Sequence, residues 1–176
     1  MQKTNWDGVQ EAQEFEKPAP GAYIARIVSV EENNEKEYWL VSWDFAEGQF
    51  KGYYADLEAS MGFWGGRFVR SFKQKALPFF KAFKTCLEAS NRGFALDETN
   101  PNCIVGKLIG VVLGEEEYVG NGGAVKVRTY VDKTHTVKAI QAGDFKVPPL
   151  KKLAATTNTT PDAPVYPTDD DGELPF

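Results

Sequence analysis

Residues 78 to 91 read Pro78-Phe79-Phe80-Lys81-Ala82-Phe83-Lys84-Thr85-Cys86-Leu87-Glu88-Ala89-Ser90-Asn91. Phe80 (or Phe79), Phe83 and Leu87 recur at three- and four-residue steps, so one side of the segment is apolar and the spacing predicts a helix. Pro78 suits its first turn and Gly93 its end. The stretches on either side have a different character. Residues 22 to 31 and 37 to 46 are rich in β-branched and aromatic types, and Glu32-Asn33-Asn34-Glu35-Lys36 between them has turn composition, which predicts a hairpin. Residues 49 to 57 predict a third strand after a turn at Glu47-Gly48, and the run with Gly62, Gly65 and Gly66 predicts a loop into the helix. Beyond the helix, residues 105 to 118 and 124 to 132 predict two more strands around the turn Gly120-Asn121-Gly122-Gly123. Thr134 to Val147 is a short β-prone appendix.

Three strands, one helix and two strands is the element order of the OB-fold, a mainly β, five-stranded, partly open Greek-key barrel that holds oligonucleotides or oligosaccharides. A split β-sandwich or a β-grasp arrangement gives similar element counts. The 176 residues suit one domain, and 42% hydrophobic with 13% aromatic residues is enough for a packed core. The expected organisation is an N-terminal arm over 1 to 20, broken at Pro18-Ala19-Pro20-Gly21, an OB-fold domain over 21 to 153, and a disordered acidic tail over 154 to 176. No apolar run has the ~18 to 20 residues that cross a bilayer, and no secretory leader is visible, so a cytoplasmic protein with no membrane partner is expected. Cys86 and Cys103 lack CxxC spacing and His135 is the single histidine, which excludes a zinc finger or disulfide scaffold. No cofactor and no metal is expected.

The net charge of −5 is unevenly spread. Residues 154 to 176 carry five acidic side chains and no Lys or Arg, so residues 1 to 153 balance 20 acidic against 20 basic ones. Residues 65 to 92 hold seven cations against Glu88, and residues 126 to 152 hold seven against Asp132 and Asp144. Such separation can attract phosphate at one place and a basic partner at another.

Enzyme signatures are absent: there is no Walker loop, no GxSxG and no HExxH. Asp97, Glu98 and Glu115-Glu116-Glu117 could be imagined as a nuclease metal site, but a charge run beside a hairpin reads more simply as a solvated edge. Binding of single-stranded DNA needs cations along a groove and flat rings on which bases stack. The run Phe63-Trp64-Gly65-Gly66-Arg67-Phe68-Val69-Arg70-Ser71-Phe72-Lys73 interleaves both. In the fifth strand Val125, Val127, Thr129 and Val131 alternate with Lys126, Arg128 and Tyr130, predicting a core face and a cationic face. The expected groove is therefore Lys51, Tyr53, Trp64, Arg67, Phe68, Arg70, Lys73, Lys126, Arg128, Tyr130 and Lys133. Phe68 fits a core position as well. Whether Tyr53 or Tyr54, and which of Tyr38, Trp39 and Trp43, face outward stays open.

The chain ends Asp169-Asp170-Asp171-Gly172-Glu173-Leu174-Pro175-Phe176. This resembles the acidic tip of bacterial single-stranded DNA-binding proteins, an aspartate run followed by an aliphatic residue, Pro and a terminal Phe. Asp169, Asp170 and Asp171 match the acidic run and Leu174, Pro175 and Phe176 the apolar end, while Gly172-Glu173 lengthens the spacing. The segment Ala46-Glu47-Gly48-Gln49-Phe50-Lys51-Gly52 and the strand order look like the OB-fold single-stranded DNA-binding proteins of phages and mobile elements. The resemblance implies sequence-independent coating and protection of single-stranded DNA in replication, recombination or repair, in the host cytoplasm for a phage protein. It also implies that the tip recruits partner enzymes: a terminal ring can fill an apolar pocket while aspartates meet a basic rim. The alternatives are an OB-fold protein-interaction module with an acidic docking tail, or a strand-annealing protein. Monomer and homodimer are both compatible with an exposed barrel edge.

Overall fold

A computed structural model describes residues 7–8 and 15–154. Two long strands form the first hairpin, β1 (Gly21–Asn33) and β2 (Tyr38–Phe45). They pair antiparallel from Ala25 with Phe45 to Asn33 with Tyr38. A bulge between Ile27 and Ser29 pushes Val28 out of the ladder, so that Ile27 and Val30 both face the same side.

The chain then departs from the expected third strand. Residues 50 to 52 form a turn and Tyr53–Met61 is a helix, α1. Gly52 takes a left-handed φ of 74°, which turns the chain without a Cβ penalty. The first helical N–H groups are satisfied from outside the segment: the buried Asp44 carboxylate accepts from Tyr54 N at 2.9 Å and Ala55 N at 3.1 Å. Ala55, Leu57, Glu58, Ala59 and Met61 are good helix formers, and Tyr54 and Leu57, three apart, bury the same face. Residues 49 to 57 were expected as a strand, but the helix is the state that this capping stabilises.

The third strand instead lies where a loop was expected. Arg67–Ser71 forms β3, antiparallel to β2 from Tyr38 with Ser71 to Ser42 with Arg67. Gly66 is forced by packing, since a Cβ there would run into the Trp43 carbonyl oxygen and the Tyr54 ring. The expected helix is present as α2 (Leu77–Ser90), preceded by a short turn of 3-10 helix at Gln74–Ala76. A second such turn at Pro101–Ile104 leads to β4 (Leu108–Val119), which hairpins into β5 (Val125–His135).

The strand order is β3-β2-β1-β4-β5, all neighbours antiparallel, with α2 between β3 and β4 in the chain. The hydrogen-bonded sheet is open, but its two edge strands meet. Arg70 Nη2 lies 3.5 Å from Thr134 Oγ1, and its guanidinium covers the Phe68 ring at 4.5 Å. The core lies on one side of the sheet: Ala25 and Ile27 from β1, Trp39, Val41, Trp43 and Phe45 from β2, Phe68 from β3, and Ile109, Val111 and Leu113 from β4. Phe80, Phe83 and Leu87 of α2 close one end, with Phe80 edge-on to Trp39 at 5.1 Å. Tyr54 of α1 closes the other, 5.2 Å from the Trp43 ring.

Of the β-prone appendix only Thr134 and His135 are in a strand, as the end of β5. Thr136 Oγ1 accepts from Ala139 N at 3.1 Å and caps a short helix, α3 (Val137–Gln141). The chain after it crosses the outer side of β4, where glycines leave room. A Cβ on Gly110 would strike Ile140, and one on Gly114 would come within 2.7 Å of Pro148 and 2.8 Å of the Tyr130 hydroxyl. Lys151 N then donates to Glu115 O at 3.0 Å and Glu117 N to Lys151 O at 2.8 Å, fastening this strap to β4. No helix among the described residues is long and apolar enough to cross a membrane.

Asp44→Ala should cost about 2 to 3 kcal/mol of stability by urea denaturation, because buried helix-terminal N–H groups lose their acceptor; Asp44→Asn, which keeps one acceptor oxygen, should cost less. An Asp44→Ala protein as stable as the parent would remove this carboxylate from the account of α1. Gly114→Ala should lift the strap, accelerating hydrogen exchange at Lys151 and Glu117 by about tenfold or more while the β1–β2 amides stay protected. Unchanged exchange at those two amides would show that the strap tolerates the methyl group.

Candidate nucleic-acid interface

The sheet has an outer side opposite the core, and period-two alternation decides which side chains reach it. On β3 these are Arg67, Val69 and Ser71, and on β2 Tyr38 and Leu40 beside them. Arg67 is exposed and Tyr38 half-buried, while Trp39 and Trp43 are core residues. The open orientations are thereby resolved on β2: Tyr38 is outward and both tryptophans are inward.

The α1–β3 loop, which leads into β3, carries two rings that part ways. Trp64 turns inward, its Nε1 donating to Gly66 O at 3.0 Å and its ring lying 6.1 Å from Tyr54. Its neighbour Phe63 is left 53% exposed and Met61 65% exposed. A free residue followed by an anchored one is the geometry of a fixed platform: the backbone is held by Trp64 and Gly66 while the Phe63 face stays open. Phe63 lies in the run of mixed rings and cations, yet it is missing from the expected groove. The flanking Gly62, Gly65 and Gly66 were the available signal, since they let a bulky pair divide between inside and outside.

The expected groove residues separate into distinct environments. Lys51, Arg67, Lys126 and Lys133 are exposed. Tyr53 is not on a strand: it opens α1, half-buried, with its ring edge-on to Phe15 at 6.1 Å and Phe45 at 6.0 Å. Tyr54 beside it is buried, and that burial, with smaller contributions from Tyr53 and Asp44, holds its phenol far above the ordinary range. Phe68 is a core residue facing the α2 ring Phe83 at 5.9 Å, which removes it from any ligand face. Arg70 sits on the inner side of the β3–β5 seam, and Lys73 is half-buried after β3.

The β5 face is largely occupied. Arg128 Nε bonds Glu116 Oε1 at 2.7 Å, and its guanidinium lies 5.3 Å from the Tyr118 ring centre. Tyr130 lies under the strap, with Lys151 Nζ 4.2 Å from its ring centre. Burial raises its phenol pKa. The alternation was correctly read for direction, but Tyr130 is covered by chain from residues 148 to 151 and is closed to a stacking base. On the other face, Val125 and Val127 are exposed although they were expected in the core, because the hairpin runs past the end of the core.

The acidic groups have local partners. Glu117 Oε2 accepts from Leu153 N at 3.1 Å and Glu98 pairs with Lys84 at 3.1 Å. Asp97 accepts from the Thr99 hydroxyl and its N–H, which hold its carboxyl below the usual range. Among the described residues no three His, Cys, Asp or Glu side chains converge as metal ligands. Asp169, Asp170, Asp171, Leu174, Pro175 and Phe176 lie outside the described residues.

A groove of about 840 Å³ runs along α2, between Leu77, Lys81 and Lys84 on the helix and Glu32 and Phe72 on the other wall, with Trp39 and Phe80 at its floor. Its walls carry both signs of charge. No protein-family model matches the sequence, and no curated protein matches it.

Proposed function

We propose that this chain is a non-enzymatic, sequence-independent single-stranded DNA-binding protein built on an OB-type barrel, with its acidic C-terminal tip recruiting replication or recombination enzymes. The observation that carries the reading is that an exposed ring, Phe63, and an exposed cation, Arg67, stand four residues apart where the α1–β3 loop leads into β3. Stacking on a ring and contact with phosphate are the two interactions a single strand offers without regard to sequence.

The strand order supports the barrel. Joining the β3 and β5 edges would close a ring in which each strand keeps its present neighbours, and Arg70 with Thr134 already spans that seam. Because Arg70 and Thr134 are inner-side residues, their chain neighbours Val69 and Lys133 fall on the outer side of the same seam. Arg67, Lys133 and Phe63 thus define a path from the α1–β3 loop across the joined edges. Lys51 and Lys126 flank it in the turn before α1 and in the hairpin. In this reading Arg128 and Tyr130 support the strap and do not contact DNA.

A second reading, an OB-type protein-interaction module, is favoured by the α2 groove with its apolar floor and by the exposed Phe79 on the same helix. Binding of DNA separates the two. In fluorescence anisotropy with labelled oligo-dT, Phe63→Ala should weaken binding by about 1 to 3 kcal/mol, roughly 5- to 150-fold. Arg67→Ala should lower the slope of log K against log salt by about 0.7, one phosphate contact fewer. Tyr130→Phe should leave affinity unchanged. A folded double variant at Phe63 and Arg67 that binds oligo-dT like the parent would exclude this surface. A parent that binds neither oligo-dT nor duplex would move the assignment to the interaction module.

A further inference from the structure

The β4–β5 hairpin is longer than the sheet it belongs to. Pairing of β1 with β4 ends where Gly21 meets Leu113, whereas β4 and β5 stay paired from Gly114 with Tyr130 out to Val119 with Val125. The two sides of this arm differ. One carries the Glu116–Arg128 ion pair and the Tyr118 ring. The other continues the core side of the sheet past the end of the core, with Val119 60%, Val125 59% and Val127 41% exposed beside the half-buried Glu115 and Glu117 of β4, the latter held by Leu153 N at 3.1 Å.

The two backbone edges of the arm differ as well. The β4 edge is taken by Lys151 of the strap. The β5 edge over residues 125 to 131 has no backbone partner among the described residues. Exposed edges are normally blunted by charged side chains, prolines or bulges. Here Lys126 and Arg128 lie on the far side and a bulge at Asp132 ends the regular ladder, but Val125, Val127 and Thr129 are uncharged and no proline interrupts residues 125 to 131.

We infer that this edge pairs with the same edge of a second copy of the chain, forming a two-fold antiparallel dimer through β5. A strand is the partner that satisfies a row of free N–H and C=O groups, and two-fold symmetry makes the apolar side complementary to itself. Centred on Val127, the pairing sets Val127 against its own counterpart and Val125 against Thr129, so the three valines of each copy run diagonally across the four strands, with Glu117 of each copy flanking its Val127. On the other side Lys126 falls opposite Arg128 of the second copy, whose charge Glu116 already offsets at 2.7 Å. Seven residues span only about 24 Å of edge. That buries well under the roughly 800 Å² per partner of a stable complex, so the dimer is weak and concentration-dependent.

Sedimentation velocity on the full chain from about 2 to 200 μM, the range suited to so small an interface, should show a monomer passing to a dimer. The amides of residues 125 to 131 should exchange more slowly as concentration rises. Val125→Lys with Val127→Lys, both at exposed positions, should raise the dimer dissociation constant by tenfold or more, by about the 1.4 kcal/mol that tenfold represents. Val69→Lys on β3 should not. A monomer at every concentration would overturn the inference, as would a dimer indifferent to the lysine pair. Protection of 125 to 131 that arises only when oligo-dT is added would overturn it too, showing that the arm seats nucleic acid instead.

Discussion

The carboxylate of Asp44, buried at the end of β2, decides the path of the next twenty residues. By accepting the N–H groups of Tyr54 and Ala55 it serves as the N-terminal cap that α1 lacks locally, since Gly52 offers no side chain. Once α1 is held there, Tyr54 packs on Trp43 and the loop that follows is pressed against the β2 backbone. Gly66 O then accepts from Trp43 N at 2.8 Å, and β3 starts at Arg67. Phe63 and Arg67 reach the surface as a consequence. A carboxylate buried among apolar rings would be costly alone, but here its oxygens accept three backbone N–H bonds, including that of Phe45 at 2.8 Å.

Much of the architecture was legible in periodicity. The first hairpin, α2, β4 and β5 fall within a few residues of where alternation and three-to-four spacing put them, because each element buries one long apolar side. The segment from residue 49 to 71 was not legible, for a specific reason. Tyr53 and Tyr54 have strand propensity, and nothing within the segment announces that its helix cap sits at Asp44. The loop reading of 62 to 71 followed from the glycines, yet Gly66 marks close packing against β2 and not the absence of structure. Val137 to Gln141 was misread for a similar reason: its β-branched start obscured a helix capped by Thr136.

The candidate site was legible in composition and less so in orientation. The two basic blocks are real features of the chain, but tertiary contacts divide their members. Arg128 is spent on Glu116, Lys84 on Glu98, and Lys151 covers Tyr130. Lys51, Arg67, Lys126 and Lys133 keep their exposure. A strand pattern gives the side to which Tyr130 points; it cannot show that a later segment lies across that side. The glycines at positions 110 and 114 are the one sequence trace of that covering.

The central claim is that a single strand of DNA lies over Phe63 and the outer side of β3. Photo-cross-linking with an iodouracil-substituted oligonucleotide, followed by peptide mass mapping, reads the contact directly. The account predicts adducts on Phe63, with any secondary adduct on Tyr38 of the adjoining strand. Adducts confined to Tyr130 or to the α2 groove, or none from a folded protein that binds the oligonucleotide, would contradict it.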